Sequence, residues 1–372
     1  MRLDGQGRAL TSVTLAAALA AAPVTGCGGD VDHGASAAIS GAAAKAGCGG
    51  KSAVTAEGST AQQNAIAIFN QVWGEHCPGK SVSYQATGSG AGRAQFIAGH
   101  VDFGGADSPL LADQLGPATG RCGGNPAWDL PLVFGPIALV YNLPGAGKLV
   151  VNADALGEIF SGRITFWNDR TLAALNPRVA LPDIRIMPIY RADSSGTTDN
   201  LQKYLTAAAP QSWTRGVGTE FQGSVGEGVT QSAGVVRAVQ TTPGAIGYVE
   251  KGFADQAGVP YADIDTGNDV VPLTADTAGN AIGAAAFVAT GNDLVLDLNS
   301  MYASREPRTY PLILATYEIV CSKGYDPNTA RAVKSFLAVA ADNAQTRLTS
   351  AGYVPLPAKV KERLVTAIDA MQ

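Results

Sequence analysis

Three times between residues 53 and 109, a short β-like run ends in a turn of Gly, Ser, Thr and Asp, and two of these turns open directly into a helical pattern. Residues 53–56 give way to Glu57-Gly58-Ser59-Thr60, after which Ala65, Ile66, Ile68, Phe69, Val72 and Trp73 recur as one apolar helix face. Residues 81–86 lead into Thr87-Gly88-Ser89-Gly90-Ala91-Gly92 and a helix through Phe96 and Ile97. Residues 101–105 run into Ala106-Asp107-Ser108-Pro109, where the proline suits a first helical position. This repetition predicts an α/β sheet whose turns gather along one edge, outside the carboxyl ends of the strands, where ligands bind. With 372 residues, 46% of them hydrophobic, the chain can bury more than one core, so two domains are expected.

A fourth turn of the same kind carries more chemistry. Residues 183–190 read as a buried strand, and Asn200, Leu201, Tyr204 and Leu205 repeat at helical spacing. Between them stands Arg191-Ala192-Asp193-Ser194-Ser195-Gly196-Thr197-Thr198. The free N–H groups of a first helical turn, at the positive end of the helix dipole, make a site for an oxyanion. Arg191 adds a planar fork of donors, Gly196 lets the backbone close on a ligand, and Asp193 would hold the fork in place rather than face an anion. Taken alone, the stretch reads equally well as a helix N-cap; the sister turns favour the anion clamp.

Residues 130–142 form a long apolar run suited to crossing between domains, and residues 309–320 suit the return. Helices are expected over 153–160, through Leu172 and Leu175, and through Val229, Val235, Val236 and Val239; residues 245–249 read as a strand, and 328–347 and 359–371 as closing helices.

The formal charge of −5 argues against a nucleic-acid partner, and any anion must then be held by local dipoles and one or two arginines. Arg2 and Arg8 flank an alanine-rich apolar stretch over 10–22, then Val24-Thr25-Gly26-Cys27: the layout of an export signal over 1–26, too short to span a membrane. Small residues before a cysteine resemble the bacterial lipobox, which implies cleavage before Cys27 and lipid on its sulfur. Cleavage removes Arg2, Arg8 and Asp4, so 26 basic and 31 acidic residues become 24 and 30, a net of −6. Residues 27–50, rich in Gly and Ala, read as a flexible tether. Four cysteines remain, and in an exported chain they suggest two disulfides with three possible pairings. Topology favours Cys48–Cys321 and Cys77–Cys122, each at the sheet end away from the turns.

The segment 74–81 fits the phosphate-loop pattern G-x-x-x-x-G-K-S/T by letter, but a helix precedes it and a strand follows, the reverse of what that motif needs. The cysteine spacing does not suit zinc, and neither a metal nor a cofactor is expected. His33, His76 and His100 lie off the clamp turns, and there is no G-x-S-x-G, so a hydrolase using Ser194 or Ser195 is a rival without a base.

From residue 54 onward the chain resembles the phosphate-binding proteins of bacterial high-affinity ABC phosphate uptake systems. The matches are the stretches 84–92, 101–110, 164–169 with 175–177, 191–197 and 242–250, in family order. The resemblance implies a type II periplasmic-binding fold, two α/β lobes joined by crossing strands, with lobe I over 51–138 and 310–372 and lobe II over 139–309. It puts the phosphate ligands at Thr60, Ser89, Asp107, Arg191, Ser195, Gly196 and Thr197. Where the family often has an aromatic residue after the first threonine, this chain has Ala61, whose backbone N–H can serve regardless of side chain. The expected partners are inorganic phosphate, an ABC permease and, through the lipid, the outer face of the cytoplasmic membrane; the expected state is a monomer. Within the fold, sulfate, molybdate and arsenate are the rival ligands, and Asp107 argues against the first two, which carry no proton for it to accept. A surface sensor or adhesin on the same scaffold is a further alternative.

Overall fold

The computed structural model describes residues 42–372, so the export signal, Cys27 and the tether through residue 41 lie outside the described residues. The chain begins α1 (Ala42–Ala46), β1 (Ala53–Gly58), α2 (Gln63–His76), β2 (Ser81–Ala86), α3 (Ser89–Ile97), β3 (Phe103–Ala106), α4 (Leu115–Arg121) and β4 (Ala127–Tyr141). It continues β5 (Val150–Asn152), α5 (Ala153–Phe160), α6 (Arg170–Leu175), β6 (Met187–Arg191), α7 (Gly196–Ala208), β7 (Glu227–Val229), α8 (Gln231–Thr241), β8 (Ala245–Glu250) and α9 (Lys251–Ala257). Then come β9 (Asp263–Asp265), β10 (Val270–Val271), α10 (Ala275–Gly283), α11 (Leu298–Tyr302), β11 (Ile313–Cys321), α12 (Pro327–Asp342) and α13 (Ala358–Ala370).

Strands β2-β1-β3-β11-β4-β8-β6-β7 form one sheet in that order, and β10-β9-β5 form a small second one. β4 joins the two halves: it pairs antiparallel with β11 as far as Pro136, and from Ile137 it pairs antiparallel with β8. A strand that runs through both cores is covered on both faces, which is why this stretch is apolar throughout rather than alternating, and why every residue from Asp129 to Tyr141 is buried. The parallel β1, β2 and β3, with β11, build the first lobe, and the parallel β6, β7 and β8 build the second. The expected fold class, two α/β lobes joined by crossing strands, is the one found.

Aromatic side chains fill each core. Phe336 stacks on Phe103 and meets Trp73 and Phe69 edge-on in the first lobe, while Phe221 stacks on Tyr190, and Phe160 meets Phe221 and Tyr248 edge-on, in the second. The segment 74–81 lies between α2 and β2, helix before strand.

Three expectations are corrected. The tether ends before residue 50, because α1 is helical and packs on α12 and α13 with Ala43 buried. Pro109 starts no helix: the N–H of Leu110 is held by both carboxylate oxygens of Asp129 on β4, at 3.2 Å each, and the chain stays irregular until α4. The disulfides are Cys48–Cys77 and Cys122–Cys321, not the pairing expected. The sheet separates the two pairs. Cys77 caps α2 within the large core, where α1 delivers Cys48, whereas Cys122 and Cys321 share a small core with Phe96, Ala106 and Leu110 on the face covered by α3 and α4.

Candidate functional site

The four turns rich in small polar residues meet along the seam between the lobes. Thr60, Ala61, Ser89, Asp107, Arg191, Ser195, Gly196 and Thr197 are all buried there. From the first lobe, Thr60 and Ala61 precede α2, Ser89 opens α3, and Asp107 follows β3. From the second, Arg191 ends β6, Ser195 caps α7 by accepting from Thr198 N at 3.3 Å, and Gly196 and Thr197 form its first turn. The N–H groups of that first turn have no acceptor within the helix. The Thr197 hydroxyl is buried with no hydrogen-bond partner among the described residues.

Gly196 is a glycine for a steric reason. A Cβ there would stand 2.5 Å from Asp107 Cβ and 2.5 Å from Ser89 Oγ, so only a bare backbone lets the two lobes approach this closely. Gly90 meets Ser194 in the same way and donates its N–H to the Ser194 carbonyl at 3.1 Å.

Arg191 is 2% exposed. Its Nε donates to Asp193 Oδ1 at 2.7 Å, its Nη2 contacts Asp193 Oδ2, and its Nη1 donates to Thr60 Oγ1 across the seam at 3.0 Å. Burial works against the Asp193 carboxylate, but the hydrogen bonds and charge of Arg191 outweigh it and hold the group below the ordinary range. Asp193 Oδ1 also accepts from the N–H of Gln231, whose φ of 63° is uncommon for a residue with a side chain.

Asp107 is the one carboxylate among these donors. Its Oδ1 accepts from Thr316 Oγ1 at 2.7 Å, and Ser89 Oγ lies 3.3 Å from Oδ2 while accepting from Asp107 N at 3.0 Å. Burial raises its pKa; the Ser59, Thr316 and Ser89 hydroxyls and the Arg191 charge pull the other way.

Several contributors escaped the sequence reading. Ser232 bonds Thr60 at 2.7 Å, the Tyr248 hydroxyl accepts from Arg191 N at 3.2 Å and bonds Thr198 Oγ1 at 2.7 Å, and Thr316 braces Asp107. Ser232 opens a helix whose preceding turn lacks the hydroxyl-glycine pattern. Tyr248 and Thr316 lie inside buried strands, where the pattern speaks of packing and gives no sign of a polar partner. Neither clamp serine meets a histidine: Ser194 donates to Thr219 at 2.8 Å, and Ser195 serves as the cap of α7. Among the described residues, no group of three or more His, Cys, Asp or Glu could hold a metal ion, and no helix is long and apolar enough to cross a membrane.

Residues 30–344 match a family model described as a PBP superfamily domain. Phosphate-binding protein PstS 3 of Mycobacterium tuberculosis (strain ATCC 25618 / H37Rv) is 45% identical over 374 residues, covering 100% of both chains. The chain belongs to the PstS family of phosphate-binding proteins. A second PstS relative, PstS 3 of Mycobacterium leprae, is 42% identical, again over 100% of both chains. These PstS relatives are named for binding, not for catalysis. Among solved structures, a high-affinity periplasmic phosphate-binding protein (PfluDING) bound with phosphate superposes with a TM-score of 0.69 at 23% identity, covering 84% of this chain and 93% of that one. A putative phosphate ABC transporter substrate-binding protein from Clostridium perfringens, also with bound phosphate, gives 0.58 at 16% identity, covering 82% and 100%. At these identities the two structures bear on the PstS fold alone.

Proposed function

We propose that this chain captures inorganic phosphate between its lobes and delivers it to an ABC permease. Thr60, Ser89, Arg191, Ser195, Gly196 and Thr197 donate to the anion, the Ala61 N–H joins them by leaving or sharing Ser59 Oγ, to which it donates at 3.0 Å, Asp193 orients the Arg191 fork, and Asp107 accepts. The protein acts outside the cytoplasmic membrane as a monomer, held to its outer face by lipid on Cys27, and docks on the permease in its closed form.

The observation that carries this reading is the placement of Asp107 against Gly196 and Ser89, the one carboxylate among ligand residues that otherwise donate. Phosphate near neutral pH keeps at least one proton and can donate it to the carboxylate; sulfate has none and meets an unpaired charge. Leaving a buried polar group unpaired costs about 1–3 kcal/mol, more for a charge, so one carboxylate suffices for selectivity. Arsenate protonates as phosphate does and is accepted by the same group. The names of the PstS relatives support the substrate.

Calorimetric titration of the purified exported domain tests this. Phosphate is expected to bind tightly with sulfate a poor competitor, and Asp107→Asn, which turns an acceptor into a possible donor, is expected to weaken phosphate and narrow the gap to sulfate. Equal competition by sulfate in the unaltered protein defeats the proposal.

A further inference from the structure

One helical turn behind the clamp, a second set of contacts joins the lobes without being part of the proposed ligand shell. Asp199 and Asn200 are the fourth and fifth residues of α7, and they are 4% and 1% exposed. The Asn200 amide nitrogen donates to the Gly196 carbonyl within its own helix and, across the seam, to the Asp107 carbonyl, at 2.7 Å each. The Asn200 oxygen in turn accepts from the hydroxyl of Tyr302 on α11, which also lies 3.1 Å from the carbonyl of Ile313, where β11 begins its return. The neighbouring Asp199 takes the hydroxyl of Ser108 from the opposite lobe on Oδ2, and on its own side binds Lys203 Nζ at 2.6 Å and the N–H of Gly218 at 3.0 Å. Behind Ser108, the first lobe adds Arg93, 2% exposed, whose Nη1 donates to the Ser108 carbonyl at 3.3 Å and whose Nε has no partner among the described residues.

We infer that Asp199 and Asn200 form a latch that grips the 107–108 backbone of the first lobe and sets how fast the closed cleft reopens, separately from ligand selectivity. The inference rests on the phosphate reading above. Both residues are held rigidly within the second lobe, Asn200 by Tyr302 and Gly196, Asp199 by Lys203 and Gly218, so each presents its remaining hydrogen-bonding group already aimed at the partner. Their cross-seam bonds exist only when the lobes meet. They therefore stabilise the closed form, and their loss appears in dissociation, because encounter with the ligand occurs before they form. Asn200 ties the carbonyl of Asp107 to that of Gly196, one residue from each lip of the proposed site, through backbone oxygens alone, while the Asp107 carboxylate keeps its own hold on Thr316 Oγ1 at 2.7 Å.

The test uses Ser108→Ala, which removes one hydroxyl, and Asn200→Asp, which keeps the shape but sets a carboxylate against two carbonyl oxygens. Stopped-flow release of phosphate is expected to quicken about tenfold in Ser108→Ala and more in Asn200→Asp, with the association rate and the phosphate-to-sulfate ratio unchanged. Unchanged release in both variants, or a fall in association that accounts for the affinity lost, overturns the latch. Small-angle scattering of the same proteins without ligand reads the open fraction independently of phosphate: both variants are expected to have a larger radius of gyration than the parent, and equal radii overturn the latch as well. Failure of the parent to bind phosphate, with the scattering difference still present, defeats the ligand assignment and leaves the latch standing.

Discussion

Glu318 has no exposed surface and lies directly behind the first ligand loop. Gln62 Nε2 donates to its Oε2 at 3.3 Å and reaches the Tyr84 hydroxyl at 3.1 Å; that hydroxyl donates to the Ser59 carbonyl at 2.7 Å, so the side chain supports the loop through two intermediaries. Its Oε1 has no partner among the described residues. Burial pushes this carboxyl up to about 8 from an ordinary 4.5, the Gln62 amide opposing and the Asp107 charge adding to the rise. The native state thus keeps a proton that the unfolded chain releases near pH 4.5. The resulting stability is fully present below that pH and is lost as pH climbs through about 8. Asp129, raised from 3.8 to about 8 by burial and by Asp293, works in the same direction. Glu318→Gln, permanently neutral, is expected to match the parent in thermal denaturation at pH 5 and to exceed it by several degrees at pH 8; equal midpoints at both values would remove the carboxyl from the account. Arg191 stands within the ligand site itself, each guanidinium nitrogen holding a partner. Arg191→Ala is expected to weaken phosphate roughly a hundredfold or more, since hydrogen bonds to ions are the strong ones, with the circular dichroism spectrum unchanged.

At the scale of elements, the approach of α7 to α3 and β3 decides whether a cleft can form, and Gly196 decides that approach. Gly196→Ala would set a methyl 2.5 Å from Asp107 Cβ, a contact no rotamer can relieve. The helix itself tolerates alanine, so the second lobe should fold while the lobes fail to meet. Phosphate binding is expected to vanish and the radius of gyration to rise, both read on one sample; retained affinity would mean that the seam is looser than the contact implies. The elements that make this seam were legible because each strand end announces itself by a cluster of Gly, Ser and Thr followed by helical spacing, as at Thr87–Ile97 and Arg191–Leu205. What faces across the seam was not legible. Asn200 and Ser232 reach their partners from 93 and 172 residues away, and no local pattern records that distance. Pro109 misled for the opposite reason: its local signal for a helix start was sound, and Asp129 overrode it by taking the next N–H.

At the scale of the whole molecule, β4 was read from sequence because a strand that crosses between lobes must be apolar on both faces; residues 309–320 read as the return crossing, but β11 pairs only with β3 and the first-lobe half of β4, and its apolar run reflects burial at the centre of that lobe. The disulfide pairing depended on which face of the sheet each cysteine occupies, which composition does not reveal. The pairing found has its own consequence. Cys122–Cys321 closes 199 residues, a loop that contains the entire second lobe, while Cys48–Cys77 closes 29. Cross-linking restricts the unfolded chain more as the loop grows, by about 5 kcal/mol for the longer and between about 3 and 4 kcal/mol for the shorter on the chain-entropy account. Both bonds sit at the end of the first lobe away from the seam, so neither supports the ligand directly. Cys122→Ser with Cys321→Ser is therefore expected to lower unfolding free energy by more than Cys48→Ser with Cys77→Ser, by about 1–2 kcal/mol in denaturant titration, while phosphate affinity at low temperature stays within a few-fold of the parent in both. A larger cost for the shorter loop would show that tying down α1 against α12 matters more than closing the chain around the second lobe.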